Sequence, residues 1–123
     1  MKYTIEEVLN EKQAKEFLLL PVSLYKNDEN WVRPLDNDIT KVFDPAKNPF
    51  FKHGECTRWL LRDENSRCVG RVASFIDRSS CHLDSYSVGG MGFFECINDQ
   101  EAAFMLFDRC RSWLEERGME SME

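Results

Sequence analysis

The 123-residue sequence predicts an α+β fold, a mostly antiparallel sheet flanked by helices. Three observations predict it. Two apolar runs, Thr57 to Arg62 and Cys68 to Arg78, are joined by the polar stretch Asp63-Glu64-Asn65-Ser66-Arg67, which is the pattern of a hairpin. The second run sets Val69, Ala73 and Phe75 on one face and Val72 and Ile76 on the other, so it reads as a central strand covered on both sides. Ala103, Leu106, Phe107, Cys110, Trp113 and Leu114 then recur at helical spacing and form one apolar stripe.

The other elements follow in chain order. Tyr3 to Leu9 alternates loosely and reads as a short strand. Asn10 is placed as a helix N-cap, with Gln13 three residues on to complete a capping box. Ala14, Phe17, Leu18, Leu24 and Tyr25 carry helical spacing, but Pro21 removes a backbone donor and crowds the preceding turn, so two consecutive short helices are expected here. Asn27-Asp28-Glu29-Asn30 is a turn cluster, and Pro34, Pro45 and Pro49 punctuate the residues after it. Between them a short helix is expected from Leu35 to Phe43, starting near Asp36 or Asn37. Trp31, Val32, Phe43, Phe50 and Phe51 are too many large apolar groups for a free linker. They read as anchors packing this loop on the domain rather than as a substrate groove.

Ser79 to Ser87 reads as a polar connection and Val88 to Ile97 as the next strand. Gly89, Gly90 and Gly92 stand before the body of that strand, not between strand and helix. They signal a bulge or close backbone packing rather than a phosphate loop. Asn98 or Asp99 caps the last helix, and Arg117-Gly118 ends it with a cationic turn and a left-handed stop. Phe104 and Met105 fall off the apolar stripe and mark a candidate contact surface. Met119 to Glu123 reads as the start of a further element.

Composition bounds the function. With 42% hydrophobic and 31% charged residues, the chain has the profile of one globular domain spanning 1–123. No run approaches the roughly 20 apolar residues of a membrane span, and the N-terminus lacks the apolar core of a signal peptide. A cytoplasmic protein is the expectation, with no membrane partner. Sixteen basic and 22 acidic side chains leave a formal charge of -6. Arg58, Arg62, Arg67, Arg71 and Arg78 gather in one region but are interleaved with Glu55, Asp63, Glu64 and Asp77, so no nucleic-acid partner is expected. The five cysteines are odd in number without paired short spacing, and read as reduced thiols. Cys81-His82 and His53 lack ligand spacing, so no metal is expected.

Four phrases carry a family resemblance: F-x-x-x-P-x-x-L-Y-K-N-D-x-x-W-V-x-P-L from Phe17 to Leu35, F-D-P-x-K-N-P-F-F from Phe43 to Phe51, Val69-Gly70-Arg71-Val72-Ala73, and Gly92-Phe93-Phe94-Glu95. Together they resemble the N-terminal half of a GNAT (acyl-CoA N-acyltransferase) fold, as found in a bacterial family of GNAT-like N-acetyltransferases. The resemblance implies acetyl-CoA as cofactor and an amine as acceptor. It implies backbone groups of Cys96 and Ile97 as cofactor contacts and Glu95 as the general base.

At the helix start that such enzymes use for a pyrophosphate, this chain has Asn98-Asp99-Gln100-Glu101-Ala102-Ala103 instead of a basic residue with spaced glycines. Two carboxylates there satisfy the dipole that the phosphate would use and repel it. Weak or absent acetyl-CoA binding by this chain alone is therefore expected. A sheet ending at its fourth strand would also expose an apolar edge, which predicts a homodimer or a partner chain that completes the sheet.

Overall fold

The computed structural model describes residues 2–31, 36–52, 54–77, 82–83, 86–119 and 121–122. Strands β1 (Thr4–Glu7), β2 (Gly54–Arg62), β3 (Cys68–Asp77), β4 (His82–Leu83) and β5 (Tyr86–Cys96) lie in the order β1-β2-β3-β5-β4, each antiparallel to its neighbours. A two-residue strand, β6 (Ser121–Met122), runs parallel to β5, Ser121 opposite Val88 and Met122 opposite Gly89. Among the described residues three α-helices accompany the sheet, α1 (Glu11–Leu24), α2 (Asp36–Val42) and α3 (Gln100–Glu116), with a single 3-10 turn at Pro49–Lys52.

The predicted hairpin is β2–β3, with β2 starting three residues earlier than expected, at Gly54. Its turn is built by Asp63, whose side chain accepts the amides of Asn65 and Arg67 at 2.9 and 3.0 Å. Strand β3 is central, as its two apolar faces require, but Val69, expected beside Ala73 and Phe75, packs on the α3 side instead, where the ladder with β2 shifts register between Leu61 and Arg62. Val72 and Ile76 join Trp59, Leu61, Leu106, Trp113 and Leu114 under α3, while Ala73 joins Phe17 and Leu60 under α1.

Strand β5 begins at Tyr86, two residues before the expected start, and takes all three glycines inside the strand. At Gly89, and at Gly70 of β3, the reason is the approach of α3. A Cβ on Gly89 would stand 2.4 Å from Leu114 Cδ2, and one on Gly70 would stand 2.9 Å from Leu106 Cδ1. These glycines let α3 settle on the sheet. The expected bulge is also present. Arg71 faces Glu95 but Ala73 faces Gly92, so both Phe93 and Phe94 stand across from Val72.

Helix α1 corrects the sequence reading, because it runs through Pro21 as one helix. Pro21 cannot donate to the carbonyl of Phe17, one turn back. That carbonyl instead accepts Arg71 Nη1 at 2.6 Å, so the missing bond is replaced from the sheet. The N-cap of α1 is as predicted, with Asn10 Oδ1 accepting the amide of Gln13 at 2.8 Å, but the Gln13 side chain reaches one residue further than a capping box, accepting the amide of Leu9 at 2.7 Å.

Helix α3 is capped by Asp99, which accepts the amide of Glu101 at 3.0 Å. It ends at Gly118, in the left-handed region at φ 81°. There the amide of Met119 bonds to the carbonyl of Leu114 at 3.0 Å and that of Gly118 to Glu115 at 3.1 Å, with Met119 buried beside Leu114. This is the Schellman stop that Arg117-Gly118 predicted. Phe104 is exposed as expected, whereas Met105 packs against the core.

Candidate functional site

Two places carry the chemistry named by the sequence. The first is a cavity where α1, Trp31, α2 and β5 meet, bordered by Pro21, Val22, Trp31, Asp36, Arg71 and Glu95. The Tyr25 hydroxyl donates to Glu95 Oε2, and the Trp31 ring lies 5.4 Å from that of Tyr25. Hydrogen bonding to the Glu95 carboxylate, with burial adding to it, pushes the Tyr25 phenol above its ordinary range. At about 50 Å³ the cavity has room for a few waters, too little for a large acceptor in this conformation.

Arg71, only 4% exposed, borders the same cavity. Its Nε donates to the Phe93 carbonyl at 3.0 Å and its guanidinium lies 4.7 Å from the centre of the Phe17 ring. Burial pushes its pKa down, and the nearby Glu95 charge opposes that. Arg71 stands opposite Glu95 in the ladder, and the hydrogen bond to the carboxylate comes from Tyr25.

Trp31 is thus both a loop anchor, through Tyr25, and a cavity wall. Tyr25 was not singled out by its local sequence. Arg71 carried a usable signal, being a lone charge inside the apolar run Val69-Gly70-Arg71-Val72-Ala73.

The second place is the start of α3. Asp99 accepts the Tyr3 hydroxyl, Lys2 Nζ at 3.3 Å and the Glu101 amide. The Tyr3 bond, followed by those of Lys2 and Glu101, holds the Asp99 carboxyl below the usual carboxylate range, against the opposing effect of burial. Ile97 uses both its backbone groups within the protein, the amide on Val69 at 3.0 Å and the carbonyl on the Asp99 amide at 2.8 Å. Cys96 stands opposite Gly70 in the ladder.

The ligand-like cysteines and histidines supply no site among the described residues. Cys56, Cys68, Cys96 and Cys110 are free thiols, and burial pushes Cys56 up to about 11. No group of three His, Cys, Asp or Glu among the described residues is placed to hold a metal ion. His53, Cys81, Val32 and the 78–81 connection lie outside the described residues, as do the side chains of His82 and Phe50. No described helix is long and apolar enough to cross a membrane.

This architecture, with its bulged β5, parallel β6 and capped α3, is the fold of the GNAT acetyltransferases. An acetyltransferase of the GNAT family from Staphylococcus aureus Mu50 matches it with a TM-score of 0.64 at 15% identity, over 98% of this chain and 70% of its own. An aminoglycoside acetyltransferase, meta-AAC0020, from an uncultured soil metagenomic sample matches with a TM-score of 0.66 at 13% identity, over 98% of this chain and 75% of its own. In sequence the chain is similar to protein YghO of Escherichia coli, 30% identical over 116 residues. That match covers 93% of this chain and 29% of YghO, so the chain spans under a third of that relative's length. No protein-family model matches the chain.

Proposed function

We propose that this chain is an acyltransferase-related module that binds acetyl-CoA weakly or not at all on its own. One observation carries the reading: Asp99 already caps α3, taking the Glu101 amide and being held in place by Tyr3 and Lys2. A helix start offers an anion its free amides and its positive dipole end. Here a carboxylate of the protein itself takes the Glu101 amide and lies at the positive end of the dipole. The Lys2 ammonium offsets part of that negative charge, so the chief obstacle is occupation of the helix start, with repulsion adding to it. The residues present therefore do not fit a pyrophosphate. Calorimetric titration with acetyl-CoA tests this directly: no binding at micromolar concentrations is expected, and a micromolar Kd overturns it.

Within this reading Glu95 is the group suited to take a proton from an amine, because Tyr25 orients it at the cavity wall. The acceptor would be a small amine, since the cavity is small.

A second reading is favoured by the outer edge of β5. Residues Gly90 to Cys96 pair with β3 on one side, and among the described residues the short strands β4 and β6 reach only residues 86–89 on the other. A second copy, or a partner chain, would complete the sheet there. Light scattering across a concentration series tests it: a species larger than one chain supports the reading, and a monomer at high concentration removes it.

A further inference from the structure

We propose that Arg71 is the positioning residue of the Glu95 site, tying the open carbonyl of α1 to the bulge of β5 and so holding Glu95 toward the cavity. The proposal rests on reading Glu95 as the functional carboxylate of that cavity.

The geometry starts from alternation. In β5, Gly90 and Gly92 stand opposite Phe75 and Ala73, which face α1. Side chains alternate along a regular strand, so continuing from Gly92 would send Glu95 to the α3 side. The bulge inserts one residue and reverses that outcome. Phe93 joins Phe17 and Phe43, with ring centres 6.4 and 5.0 Å apart, whereas Phe94 packs on Phe107 of α3 at 4.8 Å. Glu95 then returns to the α1 side, within reach of Tyr25.

This arrangement needs support. Phe93 sits at φ 55°, in the left-handed region that a large side chain seldom adopts and that persists only where the surroundings enforce it. Pro21 leaves the Phe17 carbonyl without its helical partner. A buried guanidinium is costly unless its donors are satisfied. Arg71 answers all three conditions at once, with Nε on Phe93 O at 3.0 Å and Nη1 on Phe17 O at 2.6 Å. The planar fork is what spans two carbonyls from two elements. A lysine keeps the charge but has no fork.

The test reads Tyr25 and stability separately. Tyrosine labelled at Cζ reports the ionisation of Tyr25 by NMR, and E95Q identifies the signal by abolishing its elevation. Arg71→Lys is expected to bring the Tyr25 ionisation back toward that of free tyrosine in a protein that stays folded. An unchanged Tyr25 titration in folded R71K overturns the proposal.

Pro21→Ala restores an amide for the Phe17 carbonyl. The Arg71→Lys substitution is therefore expected to shift the unfolding equilibrium roughly tenfold less in the P21A background than with proline present. Equal shifts in the two backgrounds overturn the tie between helix and bulge. If R71K alone does not fold, the P21A R71K double variant carries the NMR measurement. If acyl transfer to amines is never seen, the base reading of Glu95 fails while the Tyr25 result still decides the role of Arg71.

Discussion

The sheet presents two faces, and they are held by different physics. Toward α3 it offers Trp59, Leu61, Val72 and Ile76 to Leu106, Trp113 and Leu114, with the Trp59 and Trp113 rings edge to face at 6.1 Å. Glycines at 70 and 89 let the helix come close. Toward α1 it offers Phe75 and Phe93 to Phe17 and Phe43, interleaved with Arg58 and Arg71 stacked on those rings. That face also holds the proline, the bulge and the cavity. The α3 face follows the rules of regular packing, whereas the α1 face departs from them at several points, and the candidate chemistry lies on the α1 face.

The largest expected effects break the α3 face. Leu106 is fully buried, so Leu106→Ala should cost about 2–5 kcal/mol in urea unfolding. Growth should be as poorly tolerated as shrinkage. Gly89→Val places a Cβ 2.4 Å from Leu114 Cδ2, and overpacking of this kind costs about 1–3 kcal/mol or more. If either variant unfolds at the wild-type midpoint, the close packing described for this face is wrong.

A smaller effect is expected from Arg58, whose guanidinium lies 4.5 Å from the centre of the Phe43 ring. Arg58→Met keeps the apolar stem and loses the cation–π contact, so about 0.5–1 kcal/mol should be lost in the same experiment. A loss matching that of Leu106→Ala would erase the distinction between the faces.

The third effect is a pH dependence at the edge of the α1 face. Arg62 bonds to both oxygens of Glu16 at 2.7 and 2.8 Å and to Glu6 at 2.8 Å. Hydrogen bonding to Arg62 lowers the pKa of both carboxyls from their ordinary 4.5, against the opposing effect of burial. A carboxyl whose folded pKa lies below its unfolded one adds stability above the unfolded value. It loses that stability as pH falls through the folded value. Stability should therefore decline below about pH 4.5, and Arg62→Ala should flatten that decline. Parallel acid limbs in the two proteins would show that the triad contributes nothing; partial exposure and salt screening keep the effect modest.

What the sequence disclosed follows the same division. The β2–β3 hairpin and α3, with its stripe and its glycine stop, rest on neighbours within a few residues, and periodicity exposes them. The helix through Pro21 was hidden because its remedy comes from Arg71, 54 residues beyond the Phe17 carbonyl that it bonds. The hold on Asp99 was hidden because Tyr3 is 96 residues distant. Glu95 was found through the family phrase Gly92-Phe93-Phe94-Glu95, but its orientation depends on a bulge that alternation alone does not locate. Local signals report elements; the site is made by the bonds between them.

The central claim is that the start of α3 is closed by its own carboxylate, and one paired titration tests it. Acetyl-CoA is added calorimetrically to the wild-type protein and to Asp99→Gly, which removes both the capping side chain and its charge at a helix position that tolerates glycine. No micromolar binding to the wild type is expected, and the affinity of the variant is expected to rise roughly fivefold or more. Micromolar binding to the wild type, with no gain in the variant, would contradict the claim.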